Sequence, residues 1–424
     1  MIVSNFSRNS KGKILLSEAL ESSASMGYFS RSLGGQAGDI MDIFMRLPDV
    51  HLIMVGPSGC SRLLYFRAAR KGLTEKLRVY PISSVDFTVG HHMVELEKLV
   101  EEVIHECDPR GIILNITCID TLAANDFDSI IRRAKKKYGV IVQVYHRGPV
   151  ISNREAAGAR FSDIFMKLME ECEIKNKEKQ VNIISRGELL DRSSQLYQLL
   201  HQVYDEKNIR EFSQIQNQED LNQMTAAELN LLVGGFGISL AREMTKSWGI
   251  PSVSLSTCFH PDEIKKSVEK LTNQLKTTWN LEEEHRNFLE KAAKLAPKLK
   301  DKKIAIGVGM RSLELAWTLQ SVGISVQAVL VGFLLMNYPF SEIPGFELPP
   351  EKEYGKKLLS SGNDLDFYLL DNITFKLRSQ ELSKIDIAIG QGLGAYCRRA
   401  KVISLRDGYK FGYEGILEVL EGLV

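Results

Sequence analysis

The chain has 424 residues, more than a single hydrophobic core ordinarily organises, so roughly two or three structural units are expected. Its 54 lysines and arginines nearly balance 53 aspartates and glutamates. The one notable basic run, Arg132 to Lys137, reads as a solvated helix face, and no nucleic-acid footprint is present.

The opening MIVSNFSRNSKGK lacks the apolar stretch of a signal peptide, and no later apolar run is long enough to span a bilayer. The expectation is a cytoplasmic protein with no membrane partner. Short runs rich in Val and Ile then alternate with amphipathic segments of helical length, the pattern of βαβ units around parallel sheets. The pattern recurs three times. The first set is HLIMVG (His51 to Gly56), RVYPI (Arg78 to Ile82), GIILNIT (Gly111 to Thr117) and VIVQVYH (Val140 to His146), with helices such as HHMVELEKLVEEVIHEC between them. It ends at Gly148-Pro149. The second is VNIIS (Val181 to Ser185), a segment near Ile209 to Ile215, LNLLVG (Leu229 to Gly234) and PSVSL (Pro251 to Leu255), followed by a charged, largely helical stretch from Asp262 to Lys303. The third is KIAIGVG (Lys303 to Gly309), SVQAVLVG (Ser325 to Gly332), DFYLLD (Asp366 to Asp371), IDIAIG (Ile385 to Gly390) and KVISL (Lys401 to Leu405). The expected class is α/β, with three Rossmann-like units, each a mainly parallel sheet flanked by helices. Their expected limits are residues 1–149, 150–295 with its linking helices, and 296–424.

Six cysteines stand at 60, 107, 118, 172, 258 and 397, and no two form a C-x-x-C pair, so there is no self-contained zinc or ferredoxin-type motif. In open parallel sheets, ligands collect beyond the carboxyl ends of the strands. Cys60 follows HLIMVG through Pro57-Ser58-Gly59, and Cys118 directly follows GIILNIT, which puts both on one rim of one sheet. Cys60 also precedes a helical segment, Ser61 to Arg70, and the positive end of a helix favours the thiolate form that binds iron. The bland alternative is a small apolar side chain at a strand end, since free cysteine is among the most buried residue types. Cys107 falls on the opposite rim and, with Cys172 and Cys397, reads as structural.

V-G-P-S-G-C (Val55 to Cys60) resembles the H-G-P-x-G-C motif of nitrogenase component 1 and its relatives. V-D-F-T-V-G-H-H-M-V-E-L (Val85 to Leu96) is similar to the family segment in which an aspartate and a glycine turn open a helix. I-T-C-I-D-T-L-A-A-N-D (Ile116 to Asp126) is similar to its second cysteine loop. W-G-I-P (Trp248 to Pro251), G-V-G-M-R-S (Gly307 to Ser312) and D-G-Y-K-F-G-Y-E-G (Asp407 to Gly415) resemble further landmarks, so the similarity spans nearly the whole chain. It extends to dark-operative protochlorophyllide reductase and to cofactor-assembly scaffold subunits. The resemblance implies three Rossmann-like units per subunit and an iron–sulfur cluster (4Fe-4S or larger) shared between subunits, with Cys60 and Cys118 as two of its ligands. It also implies a homologous subunit as partner, in a homodimer, heterodimer or heterotetramer, and a separate ATP-dependent iron–sulfur reductase component.

Two departures narrow the expectation. Many relatives carry an earlier cluster cysteine, and the stretch GYFSRSLGGQAGD (Gly27 to Asp39) has none, so a four-iron cluster needs ligands from a second chain. The cysteine and histidine that hold the nitrogenase active-site cofactor are also missing from L-V-G-G-F-G (Leu232 to Gly237) and I-S-L-R-D-G (Ile403 to Gly408), and Cys258 and His260 lie one strand further on. The expected activity is that of a catalytic-component subunit of a nitrogenase-like oxidoreductase, relaying electrons from the reductase through the interfacial cluster to a substrate between the units. Gly234, Gly235, Arg311 and Arg406 are candidate cavity residues, suited to an anionic or hydrogen-bonding organic ligand. His91 and His92, at a helix start near the cysteine loops, are candidates for proton delivery. Glycines 390, 392 and 394 in IGQGLG fit either an anion-binding turn at a helix start or a tight packing turn, with packing the preferred reading. A scaffold for metallocofactor assembly is the alternative, and a solute-binding protein, which predicts an export signal, is a third reading. Because the sequence has no G-x-x-x-x-G-K-[ST] loop to cradle phosphates, titration calorimetry of ATP into the isolated chain is expected to give no stoichiometric binding.

Overall fold

Runs such as VHLIMVG and GIILNI present apolar side chains to both faces, and a strand of that kind is stable only between two helical layers. The computed structural model describes residues 13–14, 16, 26–27, 35–47, 49–117, 119, 123, 125–146, 157–169, 175–185, 190–233, 237–307, 311–333, 351–362, 365–369, 382–390, 393–405 and 410–424. In chain order its strands begin with β1 (Lys13–Ile14), β2 (Met26–Gly27), β3 (Val50–Gly56), β4 (Leu77–Pro81), β5 (Gly111–Ile116) and β6 (Ile141–His146). They continue with β7 (Val181–Ile184), β8 (Ile209–Glu211), β9 (Leu229–Val233) and β10 (Ser252–Leu255). The last are β11 (Ile304–Ile306), β12 (Ala328–Phe333), β13 (Asp366–Leu369), β14 (Ile387–Ile389) and β15 (Lys401–Ile403).

These strands form three sheets of mainly parallel strands, as the sequence pattern predicts. The first has the order β4-β3-β5-β6 and the second β10-β9-β7-β8, both parallel throughout. The third runs β13-β12-β11-β14-β15 in parallel, and the short β1 and β2 join it antiparallel, on β13 and β12. The sequence reading counts residues 1–149 together, whereas these two N-terminal strands pair with the C-terminal sheet. Two-residue strands are too short for an alternating pattern to announce them.

Connectivity fixes where a site can form. The helix Ser58–Lys71 joins β3 to β4 and packs Leu64 and Ala68 on the sheet face that carries Leu52 and Met54. The helices His91–Cys107 and Asp128–Tyr138 cover the other face, packing Leu96, Val100 and Ile130 against Ile53, Val55 and Ile112. The chain therefore leaves the neighbours β3 and β5 in opposite directions, a topological switch point, and the crevice beyond their carboxyl ends is where such sheets bind ligands.

The second sheet lies between the other two. One core joins it to the first sheet, with Leu52, Met54 and Ile113 in the same cluster as Ile184 and Leu232, filled by Phe44, Phe161, Phe165 and Phe212. The Phe44 and Phe161 rings are 5.0 Å apart and Phe165 and Phe212 4.9 Å, close enough to add specific ring contacts to burial. A second core joins it to the third sheet, with Ile183 and Leu231 beside Ile304, Ile306, Leu315 and Val419.

A buried carboxylate ties the second and third sheets at the edge of that core. Glu314, in the first turn of the helix Ser312–Ser321, is fully buried. Its Oε1 accepts the backbone N–H of Phe259 at 2.6 Å and of His260 at 2.9 Å, at the start of the helix Pro261–Leu275. Its Oε2 pairs with the Arg311 guanidinium. Glu351 in turn accepts the N–H of Leu313 at 2.8 Å and of Glu314 at 3.0 Å, satisfying donors that the helix itself leaves open. Burial pushes the Glu351 carboxyl up to about 8, against the pull of those two N–H groups. Glu314→Ala strands a buried guanidinium and two N–H groups, and is expected to lower unfolding stability by about 3–5 kcal/mol, read as a lower urea midpoint.

Candidate functional site

The two strands at the switch point touch through the residues that lead into the cysteine loops. Gly56 closes β3 at φ 151°, in a region L side chains rarely adopt, and a Cβ there would come within 2.7 Å of Thr117 Oγ1 and collide with its methyl group. Thr117, buried, immediately follows β5, whose Ile116 is in register with Val55. Only glycine lets the two loops lie against each other without strain.

From Gly56 the chain enters the helix Ser58–Lys71 through Pro57 alone. Ser61 is buried, and its hydroxyl donates to the carbonyls of Gly56 at 3.3 Å and Pro57 at 3.2 Å, folding the turn back on the strand end. Cys60 N–H donates to Pro57 O at 2.8 Å. The Cys60 thiol is thereby presented outward, in the first turn of the helix Ser58–Lys71, and the residue is exposed. The far side of the helix is held by Asp42, buried in the helix Gly35–Arg46, which accepts from Arg67 at 2.6 Å and Lys71 at 2.7 Å.

Large apolar side chains stand uncovered around this rim. Leu63 and Phe66, three residues apart on one helix face, are 63% and 58% exposed, and Val85 and Val89, in the segment after β4, are 71% and 70% exposed. Ile119, just beyond the second cysteine position, is exposed as well. Single exposed apolar residues need no explanation, but several on one rim mark an interaction surface.

The two histidines differ. His91 is half-exposed, 3.4 Å from Glu95 and 3.7 Å from Asp86. His92 is 1% exposed, with Nδ1 3.3 Å from the Asp86 carbonyl and Nε2 2.9 Å from the Asn125 side-chain nitrogen.

The family model for nitrogenase component 1 type oxidoreductases matches residues 41–423. The chain belongs to that family. Among characterised nitrogenase component 1 relatives, it is 23% identical over 305 residues to the nitrogenase iron-molybdenum cofactor biosynthesis protein NifE of Clostridium pasteurianum, a match covering 68% of this chain and 65% of that protein. It is 22% identical over 265 residues to NifE of Rhizobium meliloti, covering 58% of this chain and 54% of the relative. The match thus spans between half and two thirds of the length of these relatives. The solved structure of nitrogenase Cp1 at pH 6.5 superposes with a TM-score of 0.61 at 14% identity, covering 94% of this chain and 91% of that one. The same protein at pH 5 gives 0.59 at 16% identity, covering 94% and 88%. At such identities the likeness is one of fold, and it is the three-sheet α/β fold of nitrogenase component 1.

Of the residues the sequence singles out, Cys118, Gly234, Gly235 and Arg406 lie outside the described residues, as do Cys172 and Gly392. Arg311 is described and is engaged: beside the Glu314 pair, it donates to Ser256 Oγ at 2.7 Å. Burial opposes its charge, but Glu314 outweighs that and holds the guanidinium protonated. Cys258 nearby is buried, and burial pushes its thiol up to about 12, so it stays protonated at neutral pH and is a poor metal ligand. His260 caps the helix Pro261–Leu275 by accepting the Asp262 N–H, and burial lowers its pKa. Cys397 is buried in the outer core of the third sheet, its thiol pushed up by burial to about 11. Gly390 packs on the Gly307 backbone, where a Cβ would lie 2.7 Å from the carbonyl carbon. Among the described residues no three His, Cys, Asp or Glu side chains gather to hold a metal ion. Sequence reasoning passes over Glu314 and Asp42. A lone acid in the apolar run SLELAW, whose neighbours alternate too closely for a solvated face, is the signal for the first.

Gly56→Ala is expected to destabilise the chain by at least about 2 kcal/mol, from backbone strain and collision with Thr117. Combining it with Thr117→Ala should restore part of that loss. Thermal melting of the two variants beside the parent checks both statements.

Proposed function

We propose that the chain is the cluster-bearing subunit of a nitrogenase-like oxidoreductase, with Cys60 and Cys118 holding an iron–sulfur cluster at an interface with a homologous subunit. The single observation that carries this reading is the exposed Cys60 thiol at the β3/β5 switch point, on a rim lined with uncovered apolar side chains. An outward thiol in the first turn of a helix suits a soft thiolate-binding centre, and the packing of Gly56 on Thr117 keeps the chain leading to residue 118 beside it. When bound, the cluster supplies one-electron transfer between an ATP-dependent iron–sulfur reductase and a substrate held between the units. Leu63, Phe66, Val85 and Val89 then bury against the partner and exclude water from the thiolates. The three units we assign are residues 1–149, 150–295 and 296–424, with the strands Lys13–Ile14 and Met26–Gly27 pairing into the sheet of the third.

A second reading is favoured by the similarity to NifE proteins: a scaffold that assembles or carries a metallocofactor, on the same two cysteines. The two readings part on turnover. An enzyme reoxidises its cluster when a substrate is supplied with the reductase and ATP, whereas a scaffold releases a cofactor to an acceptor protein.

Anaerobic purification with iron and sulfide quantification tests the cluster. The parent is expected to carry both, and Cys60→Ala or Cys118→Ala to lose them while melting within a few degrees of the parent. Undiminished iron in the double variant would sink the proposal.

A further inference from the structure

We infer that a surface cleft between the helices Gln195–Leu200 and Glu282–Leu295 is a binding site for a small organic ammonium ion. The inference does not depend on the cluster reading, and none of its residues belongs to the β3/β5 rim. The cleft has a volume of about 320 Å³, at the lower end of the roughly 300–1,000 Å³ that small-ligand sites occupy. Gln202, Thr278, Trp279, Asn280, Glu283 and Glu284 line it.

The walls are fixed by their own hydrogen bonds. The helix Pro261–Leu275 ends in Lys276, in the left-handed region at φ 53°, and the Thr277 N–H returns to Thr272 O at 3.0 Å. The Thr277 hydroxyl donates to Gln202 Oε1 at 2.8 Å, and Asn280 Oδ1 accepts the Glu282 N–H at 2.9 Å where the next helix opens. Trp279 packs against the core shared by the second and third sheets, and its Nε1–H donates to Glu284 Oε1 at 3.1 Å. The same oxygen accepts from Gln195 at 3.4 Å, and Gln195 accepts the Tyr413 N–H at 3.0 Å. The indole and the Glu284 carboxylate therefore need little ordering when a ligand arrives.

The charge of the cleft is one-sided. Glu283 and Glu284 both line it, and among the described residues neither pairs with a cation. Glu284 uses Oε1 for both of its hydrogen bonds, which leaves Oε2 for a ligand. Lys276 and Arg286, the nearest cations in sequence, do not line the cleft. Acidic residues in a first helical turn are ordinary partners of its positive end, and Glu282 serves there without entering the cleft. That role does not call for an indole and side-chain amides beside the other two carboxylates. An ammonium ion uses the whole wall, with N–H donors on the carboxylates and its carbon chain along Trp279, the ring type that attracts cations best. A hard divalent ion would meet an apolar wall where it requires oxygen ligands.

The test titrates the full, isotope-labelled chain with 1,4-diaminobutane at constant ionic strength, following the indole N–H signals of Trp248, Trp279 and Trp317. Trp279→Phe assigns the signal of interest. That signal is expected to shift and saturate with a Kd of about 1 mM, as suits an open cleft, while the other two stay in place. Glu283→Gln should weaken binding about threefold, and Glu283→Gln combined with Glu284→Gln about tenfold or more, because glutamine keeps the shape and an acceptor but loses the charge. Tetramethylammonium, which has no N–H, should bind more weakly than the diamine and lose its remaining affinity in Trp279→Leu, read by saturation transfer to the ligand. A free amine and a partner's lysine side chain share this chemistry. Preference for the diamine over acetyl-lysine amide assigns the site to a free ligand, and the reverse order to a lysine. Absence of a saturable Trp279 shift at about ten times the expected Kd overturns the inference. So does undiminished binding to the double glutamine variant, or tetramethylammonium binding that survives Trp279→Leu.

Discussion

At Gly56 a hydrogen atom stands where any other residue would carry a methylene or methyl group, and the side chain of Thr117 fills that space. The rest of the rim follows from this contact. The parallel pairing of β3 with β5 up to Val55 and Ile116 sets their ends side by side, and the absence of a Cβ at Gly56 lets Thr117 pack directly on it. Ser61 then folds the turn back onto the Gly56 carbonyl, and the thiol one residue earlier has to face outward. Asp42 holds the helix from behind with two cations. Each step is short-range, and together they present an exposed thiol next to a strand end that is otherwise wholly buried.

The same arrangement recurs at the other two sheets. Gly237, after β9, lies so close to Ile184 of β7 that a Cβ would collide with it, and Gly390, after β14, lies on the backbone of Gly307, after β11. Each pair sits where neighbouring strands send the chain in opposite directions. The middle sheet shares one core with each of its neighbours, so the three crevices are set by continuous packing, with Glu314 adding a directed tie on one side.

Most of the strand framework was legible in the sequence because the central strands are buried on both faces, which leaves unbroken Val and Ile runs bounded by Gly and Pro. The segment near Ile209 to Ile215 shows the limit: only β8 forms, and Phe212–Gln214 turns into a 3-10 helix to place Phe212 among the aromatic rings. Cys60 was legible for a local reason, its position at the end of such a run before a helix. Arg311 was legible as a residue of the right loop, but its engagement depends on Glu314 three residues on and on Ser256 across the sheet boundary. His92 was legible only as one of two adjacent polar residues at a helix start. What separates it from His91 is Asn125, and no pattern within either segment links them.

The pairing of β1 and β2 with the third sheet has a consequence for how the chain comes to be folded. Residues 13–14 and 26–27 are the partners of strands that lie at 366–369 and 328–333, so they stay unpaired until the roughly three hundred residues between them have been made. Contacts of that sequence separation are slow to close and leave strand edges open meanwhile. Completion of the third sheet is therefore the event that captures these two short strands. Only then is the unit carrying Cys60 tethered on both sides, by the chain entering it from the third sheet and by the chain leaving it for the second.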